Sequence, residues 1–294
     1  MKVLSEWEYL TLRRVVSPYN LSAFRYPKPV LVSVLTQKIV ENVKVRYHEY
    51  VKRLDDIAEF WKREGRIPEW LKLTPMLRVK LLMKALGYTK SEIKKFSNDP
   101  DTIDDDELRR LMWRAIFKDF VYSPIAVRFQ HVKGRLGEDS LRSWLESEGV
   151  DFRTEEELRK EGMSKTPDFL LENGWIESKA MFGDPKTHSM YWKRQYRKYV
   201  EMFGRGRVVY WFGHVRGLVL AETPKIPNPF ERMVVYFDEN GKELGHGKKL
   251  LKNVMNMLDD FMKGKRIVVS DKRVLEIFDR LGFEIKADDE PSDF

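Results

Sequence analysis

The chain has 294 residues, enough for two ordinary domains, and its 42% hydrophobic and 13% aromatic content supports a packed core. It has no cysteine, which excludes disulfides, thiolate nucleophiles and cysteine-held zinc. The formal charge of +8 suits a polyanionic partner as well as a plain soluble surface. Residues 30–63 carry helical apolar spacing up to Gly65. Ile67–Leu73 reads as a short helix opened by Pro68. Thr74 is placed to cap a helix Met76–Leu86 with Pro75 in its first turn and Gly87 as its stop. Helix, short helix, turn and basic helix follow helix-turn-helix order, with Arg78, Lys80 and Lys84 on the last helix as candidate DNA contacts; an ordinary helical bundle shares that order.

An acidic, turn-rich link at 97–107 leads into a helix Glu107–Phe120, and the break at Tyr122-Ser123-Pro124 marks the expected boundary between a helical part, 1–122, and an α/β part, 123–294. Helices follow at Leu136–Glu148 and Glu155–Lys160, then two strands within 166–180, a basic helix His188–Phe203 and a strand Val208–Phe212. Gly217–Ala221 reads as extended, 223–229 as a proline-rich loop, and 238–241 as a hairpin turn. Beyond it come a helix at 249–263, a strand at 265–270, a helix and a strand, which complete an α/β layer before a frayed DDEPSDF terminus. No apolar run approaches the roughly 18–20 residues of a membrane span, and MKVLSEWEYL lacks a signal-peptide core, so no membrane partner and an intracellular, cytoplasmic location (nucleoid-associated in a prokaryote) are expected.

The stretch TPDFLLENGWIESKA, 166–180, places Asp168, Glu177 and Lys179 in two apolar runs joined by Asn-Gly. A type I′ hairpin closing on Asn173-Gly174 puts Asp168 opposite Lys179 and Leu170 opposite Glu177, so the three charges share one sheet face. On the preceding helix, Glu138 falls on the face of Leu141 and Leu145 while Asp139, Ser143 and Glu146 take the other. Acids beside a lysine suit phosphodiester hydrolysis: oxygen ligands hold Mg²⁺ or Mn²⁺, and an ammonium group stabilises the growing negative charge. A salt-bridged strand face uses the same residues. The other two Glu-x-Lys triplets, Glu92/Lys94 and Glu284/Lys286, lack a Pro-Asp partner. On the basic helix, Lys193, Arg194, Arg197 and Lys198 meet only Glu201 between Lys186 and Arg207, which favours phosphate contacts beside a hydrolytic site. Gln195 and Tyr199 lie at i and i+4.

Pro167-Asp168, Glu177-Ser178-Lys179 and the upstream Glu138 resemble the PD-(D/E)xK nuclease superfamily. Tyr122-Ser123-Pro124, Lys165-Thr166-Pro167-Asp168-Phe169, Trp175-Ile176-Glu177-Ser178-Lys179-Ala180, Phe182-Gly183-Asp184 and Tyr210-Trp211 resemble the TPD-motif family. The resemblance implies an α+β, multi-domain protein: a helix-turn-helix-like N-terminal part and a restriction-endonuclease-like core with a mixed sheet. It implies a metal-dependent DNA endonuclease acting on duplex or branched DNA, flaps and junctions among them. Asp168 and Glu177 are then metal ligands, Lys179 the catalytic lysine, Glu138 a further ligand or water contact, and Gln195 and Tyr199 accessory. Related nucleases often cut two strands as homodimers. A non-catalytic DNA-binding adaptor and an RNA-processing nuclease stay open as alternatives; no protein partner is legible.

Overall fold

Strand β1 (Val3–Leu4) opens a computed structural model that describes residues 3–288. The helices α1 (Glu6–Val15), α2 (Lys28–Val51), α3 (Leu54–Glu64), α4 (Pro75–Ala85), α5 (Lys90–Asn98), α6 (Asp106–Lys118) and α7 (Pro124–Ser147) follow. Then come β2 (Phe152–Thr154), α8 (Glu155–Lys160), β3 (Phe169–Leu171), β4 (Gly174–Lys179), α9 (Pro185–Tyr191), a π-helical turn at Trp192–Tyr196, and α10 (Arg197–Phe203). The chain finishes with β5 (Gly206–Tyr210), β6 (His214–Val215), β7 (Ala221–Glu222), β8 (Val234–Phe237), α11 (Gly247–Met262), β9 (Val268–Val269), α12 (Lys272–Leu281) and β10 (Glu284–Ala287). The protein is thus α+β. Among the described residues no helix is long and apolar enough to cross a membrane. The expected frayed terminus lies, from residue 289 on, outside the described residues.

The chain forms two compact units, and they do not follow a single cut near residue 122. One unit joins the N-terminal segment through Leu35 to Val132–Met233. The other joins Thr36–His131 to the residues from Val234 on. The sequence hides this grouping because it depends on long-range pairing: Val3 and Leu4 run parallel to His214 and Val215, and the Ser33 hydroxyl accepts from the Phe182 N–H at 2.8 Å.

The first unit holds a mixed five-stranded sheet in the order β2-β3-β4-β5-β7. β2, β3 and β4 are antiparallel, while β4, β5 and β7 are parallel. β4 is buried on both faces, as a central strand between layers must be. On one face Leu170, Trp175, Val208 and Tyr210 pack with Leu158, Tyr196 and Tyr199. Phe169, Ile176, Val209 and Trp211, also buried, alternate to the other face. Gly217–Leu220 forms turns rather than an extended run, and only Ala221–Glu222 joins the sheet.

The second unit corrects several expectations. The long helix breaks at Lys52-Arg53, where the Arg53 guanidinium stacks 3.9 Å from the Trp70 ring. Ile67–Leu73 is a turn, closed by Leu71 N–H on the Pro68 carbonyl at 3.2 Å, not a helix. Thr74 occupies the N-cap of α4 but makes no capping bond with its side chain. The buried Asp119 does that work from a distance, accepting from Met76 N–H at 2.9 Å. α4 buries one face, through Met76, Val79, Leu81, Leu82 and Met83, and leaves Lys84 exposed. The C-terminal segment supplies a parallel sheet of its own, β10-β8-β9, so the turn at 239–240 joins no hairpin. α11 and α12 lay Phe261 and Phe278 against Phe283.

Candidate active site

The β3–β4 hairpin builds the site from the turn outward. Leu171 pairs with Gly174, Leu170 with Trp175 and Phe169 with Ile176. The turn therefore closes on Glu172-Asn173, two positions of register away from the expected pairing. Neither turn residue has positive φ, so it is not type I′. Positive φ falls instead on Gly174, at 142°, where a β-carbon would stand 2.4 Å from the Arg205 carbonyl oxygen. A shift of two keeps every side chain on its face, whereas a shift of one would reverse them all. Continued beyond Phe169, the ladder sets Asp168 against Glu177 rather than Lys179.

The three charges are brought together. Glu177 is 3% exposed, and its Oε1 lies 2.5 Å from Lys179 Nζ. Its Oε2 accepts from the Asp168 N–H at 3.4 Å. Asp168 Oδ2 accepts from the Ser178 N–H at 2.7 Å. Asp168 and Lys179 are half-buried. Burial pushes both carboxyls above the usual range; Asp168 repels Glu177 further, and Lys179 offsets part of this. Burial lowers the Lys179 ammonium, but Glu177 and Asp168 outweigh it and hold the group charged well past neutrality. The Tyr191 ring sits 5.3 Å from Nζ.

Glu138 arrives from α7 on the inward face, as its spacing with the buried Leu141 and Leu145 requires. Burial and then Asp168 push its carboxyl up to about 7, with Lys179 opposing. Sequence reasoning missed what lets α7 come so near. At Gly137 a β-carbon would meet Trp211 Nε1 at 2.5 Å and Ser178 Oγ at 3.1 Å, and the indole itself donates to Ser178 Oγ at 2.9 Å. A glycine inside a helical pattern was the available signal, since it costs about 1 kcal/mol against alanine unless packing needs it.

Tyr199 is buried and its hydroxyl donates to the Thr166 carbonyl at 2.7 Å, pinning the loop that delivers Asp168. The π turn widens the helix just before it, a feature common at functional sites. Tyr196, not Gln195, joins Tyr199 on Trp175. Gln195 is half-buried, and its Oε1 is buried without a partner among the described residues. Lys193, Arg194, Arg197 and Lys198 are exposed, with Arg197 3.4 Å from Glu201. Arg78, Lys80 and Lys84 belong to the other unit. There Arg78 is half-buried and donates to the Pro68 carbonyl at 3.2 Å, Lys80 is half-buried, and Lys84 is exposed.

Among the described residues no three His, Asp or Glu side chains gather closely enough to hold a metal ion together. The donors that do meet, Asp168 and Glu177, still fit a hard cation: both are oxygen ligands, both are desolvated, and their charge exceeds what Lys179 supplies. One or two carboxylates with water completing the shell is the usual magnesium arrangement. Glu138 is not gathered into the same ligand set.

The fold and site define an α+β protein with a two-acid, one-lysine centre on a mixed sheet. Residues 104–227 match the family model described as "Protein of unknown function TPD sequence-motif". CDAN1-interacting nuclease 1 of Danio rerio is 30% identical over 220 residues, 65% of this chain and 73% of the relative. The human protein of that name is 30% identical over 226 residues, covering 66% and 80%, and that of Xenopus laevis 28% over 229, covering 66% and 74%. The chain belongs to the TPD-motif family and is a relative of these nucleases. No solved structure matches it.

Proposed function

We propose that the protein is a divalent-metal-dependent nuclease that hydrolyses DNA phosphodiester bonds at the Asp168–Glu177–Lys179 centre. The observation that carries this reading is the pairing of two desolvated carboxylates with one ammonium group 2.5 Å from Glu177. The naming of the relatives as nucleases supports it. Asp168 and Glu177 would hold Mg²⁺ or Mn²⁺. Such an ion, when bound, supplies Lewis acidity toward a phosphoryl oxygen and a water of lowered pKa.

Lys179 stays protonated beside Glu177, so its role is electrostatic. It stabilises the charge that grows on the phosphoryl oxygens in the transition state and does not abstract a proton. Glu138, with its carboxyl raised to about 7, is poised to exchange a proton with water near neutral pH. Tyr199 positions Asp168 through Thr166 and does not touch the reacting atoms. Gln195, its Oε1 buried and without a partner among the described residues, supports the site from within rather than touching the substrate. Lys193, Arg194 and Lys198 offer an exposed basic row to the phosphate backbone.

The test is a panel of labelled duplex, single-stranded, flap and junction DNA, with matched RNA, incubated with Mg²⁺ and with Mn²⁺. Metal-dependent cleavage of DNA, lost in Asp168→Asn and Glu177→Gln, supports the proposal. Binding with no cleavage under any divalent ion would make the protein an adaptor, and faster cleavage of RNA would make it an RNA-processing enzyme.

A further inference from the structure

The second unit contains a groove of about 770 Å³ lined by α4, α5, the start of α7 and Tyr47 of α2. Lys80 and Lys84 face it from α4, and Lys90 and Lys94 from α5. Each pair is spaced i, i+4, so each helix turns two ammonium groups to the same side, a like-charge arrangement that weakens an isolated helix. Among the described residues no acidic side chain lines the groove. Among the described residues none of the four lysines lies within ion-pair distance of a carboxylate; the lining Arg128, by contrast, is already held by Asp259. Lys80 is half-buried, and burial lowers its ammonium, with Asp119 opposing, so part of this positive charge is desolvated.

Tyr47, Tyr88 and Tyr122, all half-buried, line the same groove. Aromatic faces interleaved with unpaired cations are what a flexible anionic strand with flat bases recognises: phosphates meet the ammonium groups and bases stack on the rings. A duplex shows a protein only phosphates, sugars and base edges, and cannot insert its bases into a cavity of this size, which matches a ligand of a few rings. From the groove's charge and its tyrosines we propose that it binds single-stranded nucleic acid and holds one or two unpaired nucleotides. This deepens the nuclease reading, on which its biological sense rests, by giving the substrate an unpaired segment.

Fluorescence anisotropy of the full chain in EDTA tests this apart from cleavage. The probes are a labelled mixed-sequence 12-mer as DNA, the same 12-mer as RNA, and the blunt DNA duplex of that length. The single strands are expected to bind at least tenfold tighter than the duplex, and the tighter of the two identifies the natural sugar. Tyr88→Ala should weaken the single strand about fivefold or more. Lys84→Gln with Lys94→Gln should lower the slope of log affinity against log salt by about 1.4. The lysine variant should keep the parent melting temperature; Tyr88→Ala, which removes a ring 5.6 Å from that of Phe96, is compared well below its own melting transition.

Single-strand binding unchanged in both variants, a duplex that binds as tightly as the single strand, or oligoglutamate that competes as well as the oligonucleotide would each overturn the proposal. The two readings fail separately. If the variants lose strand binding while no metal supports cleavage, the groove stands and the nuclease falls. If Asp168-dependent cleavage persists with strand binding untouched in both variants, the groove falls alone.

Discussion

Asp168 and Glu177 are locked to one another across the β3–β4 ladder: the Asp168 N–H donates to Glu177 Oε2 at 3.4 Å, while Asp168 Oδ2 accepts from the neighbouring Ser178 N–H at 2.7 Å. Two carboxylates are thereby held side by side, with Lys179 alone among the described residues to offset them. The arrangement stores an unmet demand for positive charge, and the site's expected behaviour follows from it.

Removing Lys179 should harm both stability and activity. Lys179→Ala leaves Glu177, 3% exposed, as a buried charge without its cation. Breaking such a pair costs about 3 kcal/mol. Urea unfolding of the chelated protein at pH 8 should show this loss. It should shrink at pH 5, where the raised carboxyls take up protons. An equal loss at both pH values would contradict the electrostatic origin.

Glu138 sets a pH dependence of definite sign. Its carboxyl is raised from 4.5 to about 7 in the folded protein by burial and by Asp168. Protonated, it costs little, so its penalty is absent below about pH 4.5 and grows as pH rises through 7. In EDTA, Glu138→Gln should be more stable than the parent by about 1–2 kcal/mol at pH 8, since solvent screens part of the penalty, and nearly equal to it at pH 4.5. Divalent metal should narrow the gap at pH 8. A gap independent of pH would show that the side chain acts through shape alone.

The charged face was legible in the sequence, and its register was not. Asn173-Gly174 announced a hairpin, and strand alternation placed Asp168, Glu177 and Lys179 on one side. The pairing is shifted by two, and Gly174 takes the positive φ outside the turn, at a place where a β-carbon would stand 2.4 Å from the Arg205 carbonyl oxygen. Helical spacing likewise oriented Glu138. The grouping of segments was not legible: no local pattern says that Val3 will pair with His214, or that Asp119 will cap α4 in place of Thr74. Nor did spacing, which put Gln195 and Tyr199 on one face, reveal a π turn that sets Tyr196 beside Tyr199 on Trp175.

The close approach of α7 hangs on one glycine. Gly137→Ala forces a methyl into Trp211 Nε1, 2.5 Å from where it would sit. Overpacking of this kind costs about 1–3 kcal/mol, and it should also displace Glu138 and depress cleavage. Gly134→Ala is the control. Its nearest neighbour is Glu138 Oε1 at 3.9 Å, so it should gain up to about 1 kcal/mol from helix propensity. Thermal melts of the two variants should move in opposite directions.

In the second unit Asp271 is an acid-sensitive anchor. The Arg273 guanidinium bound to it, against some burial, and N–H donors from Leu244 and Arg273 hold its carboxyl down at about 2. A depressed carboxyl stabilises the fold above about pH 4, and that stabilisation is lost as pH falls toward 2. Asp271→Asn should cost about 2 kcal/mol at pH 7 and much less at pH 2.5, read from urea midpoints. A cost unchanged by pH would contradict the ionic role.

The most direct measurement is single-turnover cleavage of labelled DNA in Mg²⁺ and in Mn²⁺ by the parent protein and by Lys179→Ala, Asp168→Asn and Glu177→Gln, each checked for its fold by circular dichroism. The expected result is metal-dependent cutting by the parent and a loss of at least about a hundredfold in each folded variant. Cleavage by folded Lys179→Ala at the parent rate would contradict the account.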